Sequence, residues 1–259
     1  MLLLFDIGNT HTHLGLANDK QIVKQTNIST LKWIDGTAPA LVKRFAGRSR
    51  IDGAMLCSVV PRATPSARQM ARSAWHLELI ELNAKTARGV GIDYPNPETI
   101  GADRLANALA AFKRFGAPVV VVDFGTAVTF DVVDPAGNYA GGIIAPGLAA
   151  MTDYLHEKTA LLPRIRIVEP KRIIGKSTKQ AMLAGAVFGY RGLVRELIHQ
   201  LKREMHARRL PVVATGGYAG LMAAGLPDIS AVEPNLTLEG LRLAWNECRR
   251  DQKNSRQFA

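Results

Sequence analysis

The chain lacks the long apolar runs that a membrane protein needs. None of the uninterrupted apolar stretches in its 259 residues approaches the ~20 residues that cross a bilayer. The opening MLLLF meets Asp6 at once and carries no basic leader, so the sequence predicts no secretion signal. We therefore expect no membrane partner and a cytoplasmic location.

Cysteine is scarce as well. Cys57 and Cys248 are the only two cysteines, and they form no C-x-x-C pair. Isolated cysteines of this kind are small core or surface residues, which suits a reducing compartment.

Acidic residues are outnumbered by basic ones, which gives a formal net charge of +11. Much of the excess lies in helix-like stretches such as LKREMHARR and in the polar tail RRDQKNSRQ. Neither stretch belongs to a nucleic-acid motif, and no basic run is interleaved with aromatic residues that could stack on bases. The sequence therefore predicts a solvated basic face and no nucleic-acid partner.

Two phosphate-binding fingerprints are also missing. The sequence contains no G-K-[ST] loop and no G-x-G-x-x-G motif, which excludes P-loop and Rossmann nucleotide sites. What it contains is one pattern twice: LLLFDIGNTHTHLGL from Leu2 to Leu16 and VVVVDFGTAVTFDVVD from Val119 to Asp134. Each copy predicts a buried strand, an Asp-x-Gly turn and a second strand, followed by a further turn and strand.

Helical periodicity fills the space between these hairpins, notably in GADRLANALAAFKRFG and from Ser177 to about Arg208. The repeat is too long for a solenoid and predicts two related α/β lobes, at residues 1–116 and 117–259. We expect a ligand in a cleft between such lobes.

The Asp-x-Gly-x-Thr turns suit a phosphate group. Glycine lets the backbone approach a ligand, so that exposed N–H groups and a threonine hydroxyl can donate to phosphate oxygens. A carboxylate in the same place would repel phosphate, so Asp6 and Asp123 make sense chiefly beside a bound cation. Ordinary hairpin turns also contain Asp, Gly, Asn and Thr, which explains either turn alone. Two matched turns favour the phosphate interpretation. The strand, Gly-Gly turn and helix start at 211–222 would suit the adenosine end of a nucleotide.

The chain resembles the superfamily of sugar kinases, acetate kinases, actin and the heat-shock ATPases, and within it the type III pantothenate kinases. The motifs that carry the resemblance follow the family's order over nearly the whole chain: DIGNT at Asp6, SVVP at Ser58, YPNPETIGADRLANALAA from Tyr94, DFGTAVTFDVV at Asp123, GGIIAPGL at Gly141, IGKST at Ile174, TGG at Thr215 and LTLEGL at Leu236.

The resemblance implies two ribonuclease H-like lobes of the actin-like ATPase fold, a homodimer, and transfer of the γ-phosphate of ATP to the primary hydroxyl of pantothenate. It also implies Mg²⁺ and a monovalent cation, K⁺ or NH₄⁺, with Asp123 as its ligand. Thr126 is implied to contact the nucleotide together with the first turn, which comprises Asp6, Ile7, Gly8, Asn9, Thr10, His11, Thr12 and His13.

On the acceptor side the resemblance implies that Asp103 is the catalytic base. The pantothenate-binding residues that it implies are Tyr94, Gly101, Ala102, Asp103, Arg104 and Thr178. Residue chemistry alone leaves alternatives. Arg104 either binds the substrate carboxylate or pairs with a neighbouring acid, and Thr178 is also placed to be a helix N-cap.

Asp103 falls in the first turn of a predicted helix, whose dipole should keep the carboxylate ionised. Gly185, Gly189 and Gly192 recur at helical spacing and build either a dimer seam or a tight contact between lobes. Val128 stands where the family usually has threonine, which removes one hydroxyl.

Two further points concern function. His11 and His13 would share one face of a strand, but without a third ligand nearby they predict loop residues and no transition-metal site. Two rival functions remain open, a nucleotide-binding regulator that has lost transfer and a phosphatase on the same fold.

Overall fold

The computed structural model describes residues 1–257. The strands are β1 Leu2–Ile7, β2 His11–Ala17, β3 Ile22–Ser29, β4 Gly53–Ser58, β5 Ile80–Glu81, β6 Gly91–Ile92, β7 Val119–Phe124, β8 Ala127–Val133, β9 Asn138–Pro146, β10 Val212–Thr215 and β11 Ala231–Val232. The helices are α1 Leu31–Ile34, α2 Ala38–Ala46, α3 Thr64–Trp75, α4 Ala102–Phe115, α5 Leu148–Lys158, α6 Thr178–Ala184, α7 Tyr190–Glu204, α8 Ala219–Ala223 and α9 Leu236–Gln257.

The chain forms two compact units. Unit 1 comprises Met1–Arg114, Gly137–Ala140 and the segment from Asn235 onward, and unit 2 comprises Phe115–Ala136 and Gly141–Pro234. The predicted division at 116/117 lies within two residues of the first change of unit. The predicted C-terminal lobe, 117–259, differs from unit 2 because the last helix belongs to unit 1.

A five-stranded sheet in the order β3-β2-β1-β4-β5 forms the centre of unit 1. β1 pairs antiparallel with β2 and parallel with β4, so Asp6 lies beside both His13 and Cys57 in the register. The strand β1 is apolar on both faces because both faces are covered. Its side chains pack in one cluster with α2 and α3, through residues such as Phe45 and Met70.

The helix α9 covers unit 1 on a face where small residues permit close contact. Leu238 lies 3.3 Å from the position that a Cβ on Gly15 would take, and the Trp245 ring occupies the space beside Gly53. A Cβ at Gly240 would overlap the backbone of Ala106 in α4. These contacts explain why the C-terminal segment joins unit 1, a contact that its position in the sequence did not indicate.

Unit 2 repeats the same plan. Its strands belong to a six-stranded sheet in the order β6-β9-β8-β7-β10-β11, in which β9-β8-β7-β10-β11 matches β3-β2-β1-β4-β5 position by position. β7 pairs antiparallel with β8 and parallel with β10, and Asp123 lies beside Thr215. The four valines of β7 are fully buried, and Val120 and Val122 pack in a cluster with residues of α7 and α8. The predicted pair of related α/β lobes is confirmed by this shared strand order.

The long helix predicted from Ser177 onward is interrupted. α6 and α7 are joined by a π-helical turn at Gly185–Gly189, and α7 ends at Glu204. A Cβ at Gly185, Gly189 or Gly192 would meet nothing within 4 Å in the described chain. No helix within residues 1–257 is both long and apolar enough to cross a bilayer.

Candidate active site

The first Asp-x-Gly turn is a close hairpin between β1 and β2. The Gly8 N–H donates to the His11 carbonyl at 3.0 Å. A Cβ on Gly8 would lie 3.0 Å from the same oxygen, which is tighter than ordinary contacts and favours glycine. Asn9, Thr10 and His11 at the tip are exposed, as a ligand-binding turn requires.

Two of the eight predicted phosphate contacts have side chains that face inward. Ile7 and Thr12 are fully buried. The Thr12 hydroxyl lies 3.1 Å from the Thr30 hydroxyl and accepts from the Trp33 indole N–H at 3.1 Å. Strand alternation is the reason, because Thr12 follows the exposed His11 and points to the opposite face. The side chains of Thr12 and Ile7 therefore face the core, and a contact of these two residues with phosphate would be made through the backbone.

Asp6 is the carboxyl group of the first turn, and its pKa is strongly shifted. Its side chain is only 15% exposed, and the His13 Nδ1 lies 3.4 Å from its Oδ2. The Cys57 thiol donates to Oδ1 at 3.4 Å. Burial first, and then the negative charge of Asp103, raise the pKa of Asp6 to about 7, while the thiol hydrogen bond opposes the shift. Asp6 and Asp103 are therefore close enough in unit 1 to repel one another.

Asp103 lies in the first turn of α4, as predicted. Its Oδ1 accepts from the Arg104 backbone N–H at 2.9 Å. Burial raises the pKa of Asp103 above its ordinary value, and the interactions with Arg104 oppose this only in part. Burial thus opposes the ionisation that the helix dipole favours, and in the direction of the pKa shift desolvation is the larger effect.

Near Asp103, the side chains of Tyr94 and Arg104 pack against the Tyr139 ring. The Tyr94 and Tyr139 rings meet edge to face with centroids 6.1 Å apart. The Arg104 guanidinium lies 5.7 Å from the centroid of Tyr139, within the range of a cation–π interaction. Tyr139 is buried, whereas Tyr94 is 37% exposed. The predicted acceptor residues Tyr94, Asp103 and Arg104 are thus found in one region of unit 1.

The second turn belongs to unit 2 and is built on close backbone approaches. Asp123 is half-buried between Val122 and Phe124 near the end of β7, and Gly216, directly after β10, packs against it with φ +88°. A Cβ on Gly216 would lie 2.7 Å from the carbonyl carbon of Phe124. Thr126 is exposed in the same turn, and Gly147 packs on that turn so closely that a Cβ there would lie 2.7 Å from the Gly125 carbonyl oxygen. Glycines thus fix the backbone around both predicted residues.

Thr178, also in unit 2, is the first residue of α6 and is exposed. The helix is capped by Ser177, whose hydroxyl accepts from the Gln180 N–H at 3.3 Å. The Gln180 amide oxygen in turn accepts from the Lys176 N–H at 2.8 Å. Thr178 is therefore not the N-cap that residue chemistry allowed.

The Asp6 carboxylate of the first turn fits an ion that is bound mainly through phosphate. The described residues contain no group of three or more His, Cys, Asp or Glu side chains able to hold a metal by themselves. Mg²⁺ usually keeps several waters and takes one or two carboxylates together with substrate phosphates, so this donor set suits it. The mutual repulsion of Asp6 and Asp103 gives a physical reason for a cation beside them.

Three residues that contact the predicted site residues were not predicted from the sequence. Cys57 reaches Asp6 through the parallel pairing of β1 and β4, and Tyr139 reaches Arg104 from β9. Thr30 contacts the first turn from the end of β3. The SVVP motif pointed to the neighbourhood of Cys57, but no local signal marked Tyr139 or Thr30.

Comparison with known proteins gives the same family that the motifs suggested. A model of the type III pantothenate kinase family matches residues 2–200. A type III pantothenate kinase of Akkermansia muciniphila is 48% identical over 242 residues, which cover 93% of this chain and 97% of the relative.

Two solved structures show the likeness of fold. One is a conserved putative Baf family transcriptional activator from Campylobacter jejuni, with a TM-score of 0.62, 19% identity and coverage of 96% of this chain and 99% of that one. The other is a putative N-acetylmannosamine kinase from Listeria monocytogenes, with a TM-score of 0.52, 11% identity and coverage of 97% and 99%. The predicted fold class is confirmed, and by its sequence the chain belongs to the type III pantothenate kinase family.

Proposed function

We propose that the chain transfers the γ-phosphate of ATP to the primary hydroxyl of pantothenate and so forms 4'-phosphopantothenate, the first step of coenzyme A synthesis. The observation that carries the residue assignment is the cluster in unit 1. A buried carboxyl, Asp103, lies next to the guanidinium of Arg104, and the charge of Asp103 acts on Asp6 in the phosphate turn.

Asp103 receives the proton of the attacking hydroxyl. Burial raises the pKa of this carboxyl, which makes its ionised form a stronger proton acceptor than an exposed aspartate. The Arg104 N–H holds one carboxylate oxygen at 2.9 Å and fixes the orientation of the group. In phosphoryl transfer, placing the nucleophile in line accounts for much of the rate enhancement.

Arg104 and Tyr94 bind the acceptor. A guanidinium can take the substrate carboxylate with two parallel hydrogen bonds. Contact with the Tyr139 ring restricts the Arg104 side chain, so less conformational entropy is lost when the carboxylate binds. Tyr94 is partly exposed at the edge of the same cluster and supplies an apolar face for the substrate.

The first turn, together with Thr126 and Asp123, binds the nucleotide. The exposed backbone at Asn9 and Thr10 offers donors to phosphate oxygens. Asp6 would help to hold a Mg²⁺ ion that is bound mainly by the nucleotide phosphates. Asp123 would hold K⁺ or NH₄⁺. These ions supply neutralisation of phosphate charge when they are bound.

ADP release in the presence and absence of pantothenate tests the function. With ATP, Mg²⁺ and K⁺, we expect release to require pantothenate, because the acceptor hydroxyl is the nucleophile. Release that is independent of pantothenate would indicate a phosphatase, and nucleotide binding without release would indicate a regulatory protein. The same assay in buffer freed of K⁺ and NH₄⁺ should lose at least about tenfold in rate, and full activity there would contradict the role of Asp123.

A homodimer is part of the same proposal. The helix α5 exposes Met151, Tyr154 and Leu155, which are 39%, 61% and 41% exposed and recur at helical spacing. Gly189 and its neighbours leave open space along another helix, as a partner's close approach requires. Light scattering should give twice the chain mass of 28.1 kDa, and a monomer at micromolar concentration would contradict this. The free thiols of Cys57 and Cys248 suit the proposed cytoplasmic location.

A further inference from the structure

The phosphate turn is supported from behind by a buried threonine. Thr30 is 3% exposed and lies where β3 gives way to α1. Its backbone N–H donates to the Thr10 carbonyl at 3.0 Å, and its hydroxyl donates to the Gly8 carbonyl at 2.6 Å. One residue therefore binds two carbonyl groups of the turn.

The Thr30 hydroxyl is used in an unusual way for its position. Thr30 is the N-cap residue of α1, and a threonine there commonly accepts from a backbone N–H of its own helix. No such side-chain capping bond is made. The hydroxyl instead reaches Gly8, which lies far away in the sequence, so its contact serves the turn and not the helix.

The direction of the hydrogen bonds behind the turn follows from proton counting. The single proton of the Thr30 hydroxyl goes to Gly8, so in the 3.1 Å contact between Thr12 and Thr30 the Thr12 hydroxyl must be the donor. Thr12 then accepts from the Trp33 indole N–H at 3.1 Å. The chain runs one way, from Trp33 through Thr12 and Thr30 to Gly8, and each bond strengthens the next.

A ligand would meet the Gly8–Asn9 peptide on the side opposite Thr30. This peptide bond is trans, so its carbonyl and its N–H point in opposite directions. Because the Gly8 carbonyl is held toward the buried Thr30, the Asn9 N–H is directed away from the core. Donation to the carbonyl also polarises the peptide and makes that N–H a better donor.

We infer that Thr30 is the positioning residue of the phosphate turn, holding the Gly8 carbonyl inward so that the Asn9 N–H faces the nucleotide phosphates. Thr12 and Trp33 orient the Thr30 hydroxyl. This inference rests on the proposed function only in taking ATP as the ligand of the turn. It assigns the Thr12 side chain a structural part behind the turn.

Calorimetric titration of the full chain with ATP and, separately, with adenosine tests the inference. Thr30→Val keeps the side-chain volume and removes the hydroxyl. We expect the Kd for ATP to rise about tenfold, while the Kd for adenosine and the KM for pantothenate stay unchanged. Thr30→Ser should restore the ATP affinity to within about threefold. Thr26→Val is the matched control, because Thr26 lies on β3, the strand that leads to Thr30, but pairs with Leu14 of β2, away from the turn.

A second variant keeps the test decisive if Thr30→Val folds poorly. Trp33→Phe removes the indole N–H at the start of the hydrogen-bond chain together with part of the ring, and a smaller rise in the ATP Kd, about twofold to threefold, is expected. Unchanged ATP affinity in both variants, or equal loss for ATP and adenosine, would overturn the inference. ATP binding is measured without pantothenate, so failure of the proposed phosphorylation would leave this result readable.

Discussion

Asp103→Asn should lower kcat by about a hundredfold to ten-thousandfold. Asparagine keeps the shape and can still accept from the Arg104 N–H, but it cannot take the proton of the attacking hydroxyl. The protein should stay folded, because burial already disfavours the charge of Asp103 and its removal relieves that cost. Steady-state kinetics with saturating ATP and pantothenate measure the loss.

The pH dependence of Asp103 separates a base from a merely structural carboxyl. Because burial raises the pKa of Asp103, kcat of the unaltered protein should increase with pH as this group loses its proton. The residual activity of Asp103→Asn should lack that step. Glu98→Gln, which changes an exposed acid just before α4, is the matched control and should behave as the unaltered protein does. Near-normal kcat in Asp103→Asn would reject the assignment.

Asp6→Asn should make the protein more stable at alkaline pH, even as it damages nucleotide binding. The pKa of Asp6 is raised from 3.8 to about 7 in the folded chain, chiefly by burial. Between these values the folded state holds a proton that the unfolded state has released. Stability from this group is therefore full in acid and is lost as the pH rises through 7.

The size of the Asp6 effect follows from the shift. A raised pKa of this extent corresponds to about 4 kcal/mol as an upper figure. Urea unfolding at pH 5 and pH 8.5 should show the stability gap between Asp6→Asn and the unaltered protein widening at the higher pH. Asp35→Asn is the matched control of opposite sign, because the Thr37 hydroxyl lowers the pKa of that exposed carboxyl. An equal difference in the free energy of unfolding at both pH values would show that folding does not raise the pKa of Asp6.

The hairpin repeat could be predicted because its signals are local. Apolar runs that end at Asp6 and Asp123 mark buried strands, and Gly-containing turns mark where they reverse. The same local rule, applied to single residues, would also have placed Thr12 in the core, since it alternates with His11 and His13. The family resemblance gives no information on that alternation, because a motif says which segment meets a ligand and not which face of it does.

The rest depends on contacts between distant parts of the chain. Tyr139 and Arg104 meet only after β9 has paired with β6, and Cys57 meets Asp6 through the register of two parallel strands. The raised pKa of Asp103 depends on burial that no residue near it in the sequence announces. Propensity and spacing cannot supply such facts, because tertiary packing determines which side chains lose water.

The return of α9 to the first unit has a consequence for synthesis on the ribosome. Leu238 covers Gly15, which was made more than two hundred residues earlier, and Trp245 covers Gly53, which was made about one hundred and ninety residues earlier. Unit 2 is complete once Pro234 has emerged, whereas this face of the sheet that contains β1 stays uncovered until α9 has been made. The strands β1, β2 and β4 are thus covered only after a unit that is made later is complete, contrary to the usual vectorial order.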